Sequence, residues 1–373
     1  MSKCFCGINS IVIEQGKRMR RYLPRFTLTT VVAFVSVLVC LIQVPYVLLS
    51  PGPIFNTIGM VDGHDLISIS GKETYATTGS LNMTTVSEFG GPETGISVGQ
   101  AMWAWIHTSE RVMPREALYP ENMTEAQSRQ QNVEAFSTSQ SYAIAAAMNY
   151  LKLPVVESVV ISSIEAGGPA EGTLHAADVI TKINSKNVSM PAEVVSIIRA
   201  QPVGTAFVFT IVRKGVSHDY TLKTKARKDD LSTSENEAGI PFVGVGVDSS
   251  YAATFPITFG LDNVGGPSAG TMFAIGIIDK LTPGQLAQGK VIAGTGTIDP
   301  DGTVGPIGGI AQKLIGARSH GAVLFLAPAD NCDEVKGHIP DGLTVTPMST
   351  LAEGVAAIND FNAGKKLPQC SAK

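Results

Sequence analysis

Between Phe26 and Leu49 the chain reads FTLTTVVAFVSVLVCLIQVPYVLL without one charged residue, and nothing else in the sequence limits its architecture so sharply. About two dozen apolar residues are enough for a helix to cross the ~30 Å hydrocarbon core of a bilayer. A cleavable secretory signal has a shorter apolar core of about 7–15 residues and then a small-x-small site. This run instead leaves through Gln43-Val44-Pro45-Tyr46. The expectation is one retained transmembrane helix over residues 26–49. Cys40 lies deep in the run behind bulky Val39, which disfavours a lipoprotein reading. Lys17, Arg18, Arg20, Arg21 and Arg25 crowd the amino-terminal flank, whereas the far flank, SPGPIFNTIG, is uncharged. Positive charge stays on the cytoplasmic side of a span. Residues 1–25 are therefore expected in the cytoplasm, and everything after Ser50 outside the cell membrane.

At 373 residues the chain has room for two modest domains beyond the span. A net charge of −4 with 16% charged residues gives no footprint for nucleic acid. Cys4-Phe5-Cys6 lacks a second Cys/His pair, so no metal is expected, and a Cys332–Cys370 disulfide stays open. Residues 64–70 and 79–87 alternate apolar with polar residues between glycines, the pattern of half-buried strands. Thr124-Glu125-Ala126-Gln127 reads as a capping box, and the alanine-rich run through Met148 as a helix ending near Pro154. The polar stretch Lys225–Glu237 reads as a linker.

Residues 155–224 contain a strand at Val159–Ile164, a Gly167-Gly168-Pro169-Ala170 turn, a helix from Pro191 to Ala200 and two further strands. With Asp178-Val179-Ile180 and Ile183-Asn184, the stretch GGPAEGTLHAADVITKINSKNV resembles a bacterial PDZ domain, here residues 154–228. The resemblance implies that an extended peptide or chain end adds as a strand to an exposed sheet edge. The edge is expected at Val159, Val160 and Ile161, faced by Val194 and Ile198 of the helix. Pro154–Ser158 lacks the glycine-rich carboxylate loop of the eukaryotic form, and a folded spacer is the alternative.

Chemistry concentrates further on. Gly265-Gly266-Pro267-Ser268-Ala269-Gly270 surrounds one serine with small residues and runs into a helix-like TMFAIGIIDKL. Such a turn lets a substrate carbonyl approach, and free amides at the helix start can hold an oxyanion. A glycine-proline loop with a capping serine is the plainer reading. A serine hydroxyl needs a base, and none of the six histidines forms a recognisable triad. In the helix entered through Gly305–Gly309, Ile310, Lys313, Leu314 and Ala317 share one face. Lys313 then points inward, where burial lowers a lysine pKa toward that of a general base; a snorkelling lysine is the alternative.

The two motifs together resemble the proteolytic domain of the Lon family. Gly266–Gly270 matches its nucleophile motif, and Thr295-Gly296-Thr297-Ile298 followed by Gly302–Ile310 and Lys313 matches the segment ending in the base. Pro328-Ala329-Asp330-Asn331-Cys332-Asp333 is similar to a further motif before the last helix. The resemblance implies Ser268 as nucleophile, Lys313 as base, Thr295 as the hydroxyl orienting the lysine, and the backbone of Gly266, Pro267, Ala269 and Gly270 as oxyanion support. Thr297 stands where many members carry glutamate, and Gly265-Gly266 where they carry Asp-Gly.

The implied fold class is α+β, a Lon-type proteolytic domain with an inserted or preceding PDZ domain after one transmembrane helix. Residues 50–153 would be its first part and 229–366 its catalytic part. Gly284–Val291 has phosphate-loop spacing but lacks the Ser/Thr that holds magnesium. The reading is thus an ATP-independent serine endopeptidase without cofactor, acting on flexible or unfolded extracytoplasmic proteins that the PDZ domain presents. Its partners would be protein or peptide substrates and the membrane, with a homo-oligomer, a hexamer by family analogy. A tail-specific processing protease and a non-catalytic membrane adaptor are the alternatives.

Overall fold

A computed structural model describes residues 28–370, apart from 108, 214, 228–238 and 262–263. The basic cluster from Lys17 to Arg25 lies outside the described residues. The chain divides into two units, one holding the residues up to Pro51 with Ser87–Glu125, the other Gly52–Val86 with Ala126–Lys373. The division falls inside two strands, Tyr46–Asn56 and Ser80–Phe89.

In the first unit residues 28–40 are helical. The helix stops before Pro45, which lacks an N–H and pushes its predecessor to extended geometry. Gln43–Val44 accordingly form a short strand paired with Ile96–Ser97. Tyr46–Leu49 pair antiparallel with Arg111–Pro114, and Val47, Leu48 and Leu49 are buried. This corrects the expected span over residues 26–49, because its last residues belong to a sheet. Among the described residues no helix is long and apolar enough to cross a membrane. Ser97 then caps the helix Val98–Ile106, its Oγ accepting from the Gln100 amide while Gln100 Oε1 accepts from the Ser97 amide.

The second unit is built on parallel strands. Ser80–Met83, Val291–Gly294, Leu324–Pro328 and Thr344–Met348 lie side by side in that order. Alternate residues point to opposite faces of a strand, so Ile292, Leu324 and Leu326 join one core and Ala293, Phe325 and Ala327 another. The first core takes in Phe136 and Ala146–Met148 of the helix Glu125–Tyr150 and most of the helix Gly270–Leu281. The second receives Ile310, Leu314 and Ala317 of the helix Ile310–Ser319. Burial on both faces is the usual state of parallel sheets.

Residues on both sides of the PDZ-like segment therefore share one core, and the segment is an insertion. It leaves on the strand Val155–Ile164 and returns on Val245–Ala253, which pair antiparallel from Val155↔Ala253 to Ile164↔Val245. Val179–Ile183, Ala206–Arg213 and Val216–Lys223 complete the sheet beyond Val155–Ile164. A separate core forms from Val159, Ile161, Phe207, Phe209 and Ile211 with Val194 and Ile198 of the helix Pro191–Arg199. Val243 belongs to that core and Val245 and Val247 pack on it, so the expected boundary at residue 228 stops short. Lys225–Ala226 pair with Pro241–Phe242 and are strand, not linker.

Candidate active site and peptide cleft

Ser268 stands in the turn before the helix Gly270–Leu281, half exposed above a buried helix. Its carbonyl accepts the Gly296 amide at 2.9 Å and the Thr295 hydroxyl at 3.0 Å, tying the turn to the segment leaving the strand Val291–Gly294. Lys313 lies in the first turn of the helix Ile310–Ser319 and is 3% exposed, on the face with Ile310, Leu314 and Ala317. The preceding Gly309 has φ +69°, and a Cβ there would meet Val86 Cγ2 at 2.8 Å. Only glycine admits that approach without strain.

Lys313 Nζ is 2.8 Å from Ser268 Oγ and 2.9 Å from Thr295 Oγ1. Burial pushes the lysine down from 10.5 to about 7, because a dry pocket disfavours the ammonium. The hydrogen bonds then have one consistent order. Thr295 gives its only proton to the Ser268 carbonyl, so it accepts an N–H from Lys313. The lone pair of the neutral amine is left for the Ser268 hydroxyl.

The backbone donors differ from expectation. Pro267 has no N–H, the Gly266 amide is committed to the Asn132 carbonyl at 2.9 Å, and that of Gly270 turns back to Pro267 at 3.4 Å. Of the four expected positions only Ala269 keeps an amide without a partner among the described residues, and the amide of Ser268 itself, not anticipated, is the second. Proline's missing donor was legible; the claim of Asn132 on Gly266 depends on a distant helix.

Asn331, part of the Pro328–Asp333 motif, ties down Ile307 just ahead of the helix that carries Lys313. Its Oδ1 accepts the Ile307 amide at 2.9 Å and its Nδ2 donates to the Ile307 carbonyl at 2.8 Å, copying a strand pairing with one side chain. Asn331→Ala is expected to destabilise the protein by about 2 kcal/mol, two hydrogen bonds' worth, and to lower kcat with little change in KM. Denaturant titration and steady-state kinetics check this, and an unaltered kcat removes Asn331 from the positioning role. Next to it, Cys332 is disulfide-bonded to Cys370.

The expected peptide edge is corrected. Val159 and Val160 pair with Ile180 and Val179 on one side and with Ser249 and Asp248 on the other, while Ile161 pairs with Val247. Val159 and Ile161 are core residues, and at Val159 and Val160 the strand is paired on both sides. Val245–Ala253 is one of the two outermost strands of this sheet, Val216–Lys223 being the other, and a cleft beside Val245–Ala253 is lined by Val194, Ile198, Phe242, Val243, Val245 and Val247. Val194 and Ile198, expected to face Val159–Ile161, line this cleft with Val245 and Val247 instead. The bend that starts this strand turns at Gly244, with φ +75° and room for a Cβ only 2.9 Å from Gly168 Cα.

Residues 260–358 match the family described as the Lon protease (S16) C-terminal proteolytic domain, and residues 160–213 match the PDZ domain family. The chain is therefore Lon-like in its C-terminal part and PDZ-like in the segment before it. Among similar proteins, Lon protease 1 of Sorangium cellulosum is 38% identical over 94 residues, 24% of this chain and 11% of that protein. The Lon protease of Mycolicibacterium smegmatis is 36% identical over 95 residues, 25% of this chain and 12% of that protein. The match thus spans about a tenth of the length of these curated relatives. The PDZ domain of an SdrC-like protein from Listeria monocytogenes aligns at 22% identity over 24% of this chain and 85% of that one, with a TM-score of 0.21.

Proposed function

We propose that the chain is a membrane-anchored, ATP-independent serine endopeptidase in which Ser268 is the nucleophile and Lys313 the general base. The observation that carries this reading is the 2.8 Å approach of a buried lysine amine, its pKa pushed to about 7, to the serine hydroxyl. Ser268 Oγ attacks a peptide carbonyl as its proton passes to Lys313 Nζ. The resulting oxyanion is met by the amides of Ser268 and Ala269, and the lysinium returns the proton to the leaving amine. Thr295 acts through Lys313 by holding one of its N–H bonds.

Substrates are extended segments, because a chain end that adds to the outer edge of Val245–Ala253 must give up its backbone hydrogen bonds to that strand. Nucleotide is not required. The near match to a phosphate loop at Gly284–Lys290 leads from a helix into the strand Val291–Gly294, whereas a phosphate loop opens a helix. The apolar run from Phe26 to Ile42 holds the chain to the membrane. Its described helix, residues 28–40, is exposed along nearly its whole length, with Phe34 at 65% and Val37 at 59%, as befits a helix solvated by lipid. The bulk of the chain lies outside the cytoplasm. A disulfide between Cys332 and Cys370 suits that side, since such bonds persist in oxidising compartments.

The test uses full-length protein in detergent with an unstructured protein as substrate and no nucleotide. Cleavage is expected, unaltered by added ATP, and Val195→Glu, at a cleft residue that is exposed rather than in the core, should raise KM for that substrate severalfold while leaving turnover of a short peptide unchanged. Cleavage that depends on ATP, or none at all, rejects the reading.

A further inference from the structure

The helix Val98–Ile106 is turned the wrong way round for water. Its sequence, VGQAMWAWI, has no charged residue. Ala104 is buried and Ala101 half-buried against Leu48, Ile96 and Val112, so the small residues face the protein. The large ones face out: Met102 is 54% exposed, Trp103 56%, Trp105 78% and Ile106 75%. Met102, Trp105 and Ile106 share a side by i, i+3 and i+4 spacing, and Trp103 stacks on His107 at 3.9 Å beside them. A soluble protein seldom leaves four such side chains together in water.

The place of this helix says what covers it. The Val98 amide donates to the Ile42 carbonyl at 2.9 Å, and Gly99 lies against Cys40, a Cβ there meeting the Cys40 carbonyl oxygen at 3.2 Å. The two-residue ladder of Gln43–Val44 with Ile96–Ser97 pins the same junction. The helix thus begins where the apolar run of residues 28–42 ends. Tryptophan concentrates at the boundary between acyl chains and headgroups, where its ring is apolar and its N–H finds water.

We propose that Val98–Ile106 lies in the membrane interface, with Met102, Trp103, Trp105 and Ile106 dipping into the lipid and the alanine face holding the protein. This rests on the anchoring proposed above, but it concerns a second element, far from the anchor in sequence. The bound partner is the bilayer itself.

The chain contains two tryptophans and both are in this helix, so its intrinsic emission reports on nothing else. Full-length protein is placed in nanodiscs of phosphatidylcholine, either plain or brominated on the acyl chains, and titrated with iodide. Both leaflets of a nanodisc face solvent, so orientation does not matter. The expected result is strong quenching by the brominated lipid and severalfold weaker quenching by iodide than after release into urea. Trp103→Phe and Trp105→Phe, each leaving one reporter, should behave alike. Emission quenched by iodide and untouched by bromine overturns the proposal while leaving the anchor standing. Emission shielded from both quenchers also overturns it, by pointing to a protein contact such as a second copy. A chain that does not co-elute with nanodiscs overturns anchor and proposal together.

Discussion

Ser268→Ala is expected to lower cleavage of an unstructured peptide by about four orders of magnitude, while the thermal transition stays in place. The oxygen is the only heavy atom removed, and among the described residues its hydrogen-bond partner is the Lys313 amine at 2.8 Å. The carbonyl contacts that hold the turn to Thr295 and Gly296 are backbone and survive. Loss of turnover with an unchanged melting curve therefore separates chemistry from folding. Turnover within a few-fold of wild type would show that another group attacks the substrate.

The second large effect concerns Lys313. A base must be neutral, so kcat/KM should fall about tenfold per pH unit below the lysine's pKa of about 7 and level off above it. Lys313→Met should abolish activity and also stabilise the protein. In the unfolded chain the lysine titrates near 10.5, in the folded one near 7. Below pH 7 it is charged in both states, and the folded state bears the full expense of a buried ammonium. Between 7 and 10.5 the unfolded chain binds the extra proton, so wild-type stability rises with pH across that window. The difference from 10.5 to about 7 corresponds to roughly 5 kcal/mol. The gain from methionine should thus be largest at and below neutrality and fade toward pH 10.5. Denaturant titrations of both proteins at several pH values measure it. An equal or lower stability of the variant at pH 6 would mean that the amine is not held in a dry pocket.

What the sequence disclosed follows from the range of the interactions involved. Ser268 and Lys313 stand out in the sequence because a glycine-proline turn and a 3.6-residue periodicity are local patterns, and the fold brings the two side chains within 2.8 Å. Which strand of the PDZ-like segment offers an edge is not local. It depends on Val245–Ala253 returning across a stretch of about eighty residues to cover Val155–Ile164, and no periodicity within either strand announces that pairing. The apolar run misled in a different way. Hydropathy counts Val44 to Leu49 as lipid-facing, whereas Val47, Leu48 and Leu49 are equally suited to a sheet interior, and only Pro45 distinguishes the two. The disulfide is undecidable from the sequence, since a separation of 38 positions between its cysteines leaves their meeting to the fold.

The antiparallel run from Val155↔Ala253 to Ile164↔Val245 has a consequence for the host fold. Chain entry and exit cross into the PDZ-like module as neighbours, a single strand spacing of about 4.8 Å apart. To the protease framework the whole module is then equivalent to one long hairpin, and its removal or exchange at those two crossings leaves the framework's own strand order intact. Exchange of the module there would leave the segments that carry Ser268 and Lys313 in place, which makes this ladder the natural seam for grafting a different module onto the same framework.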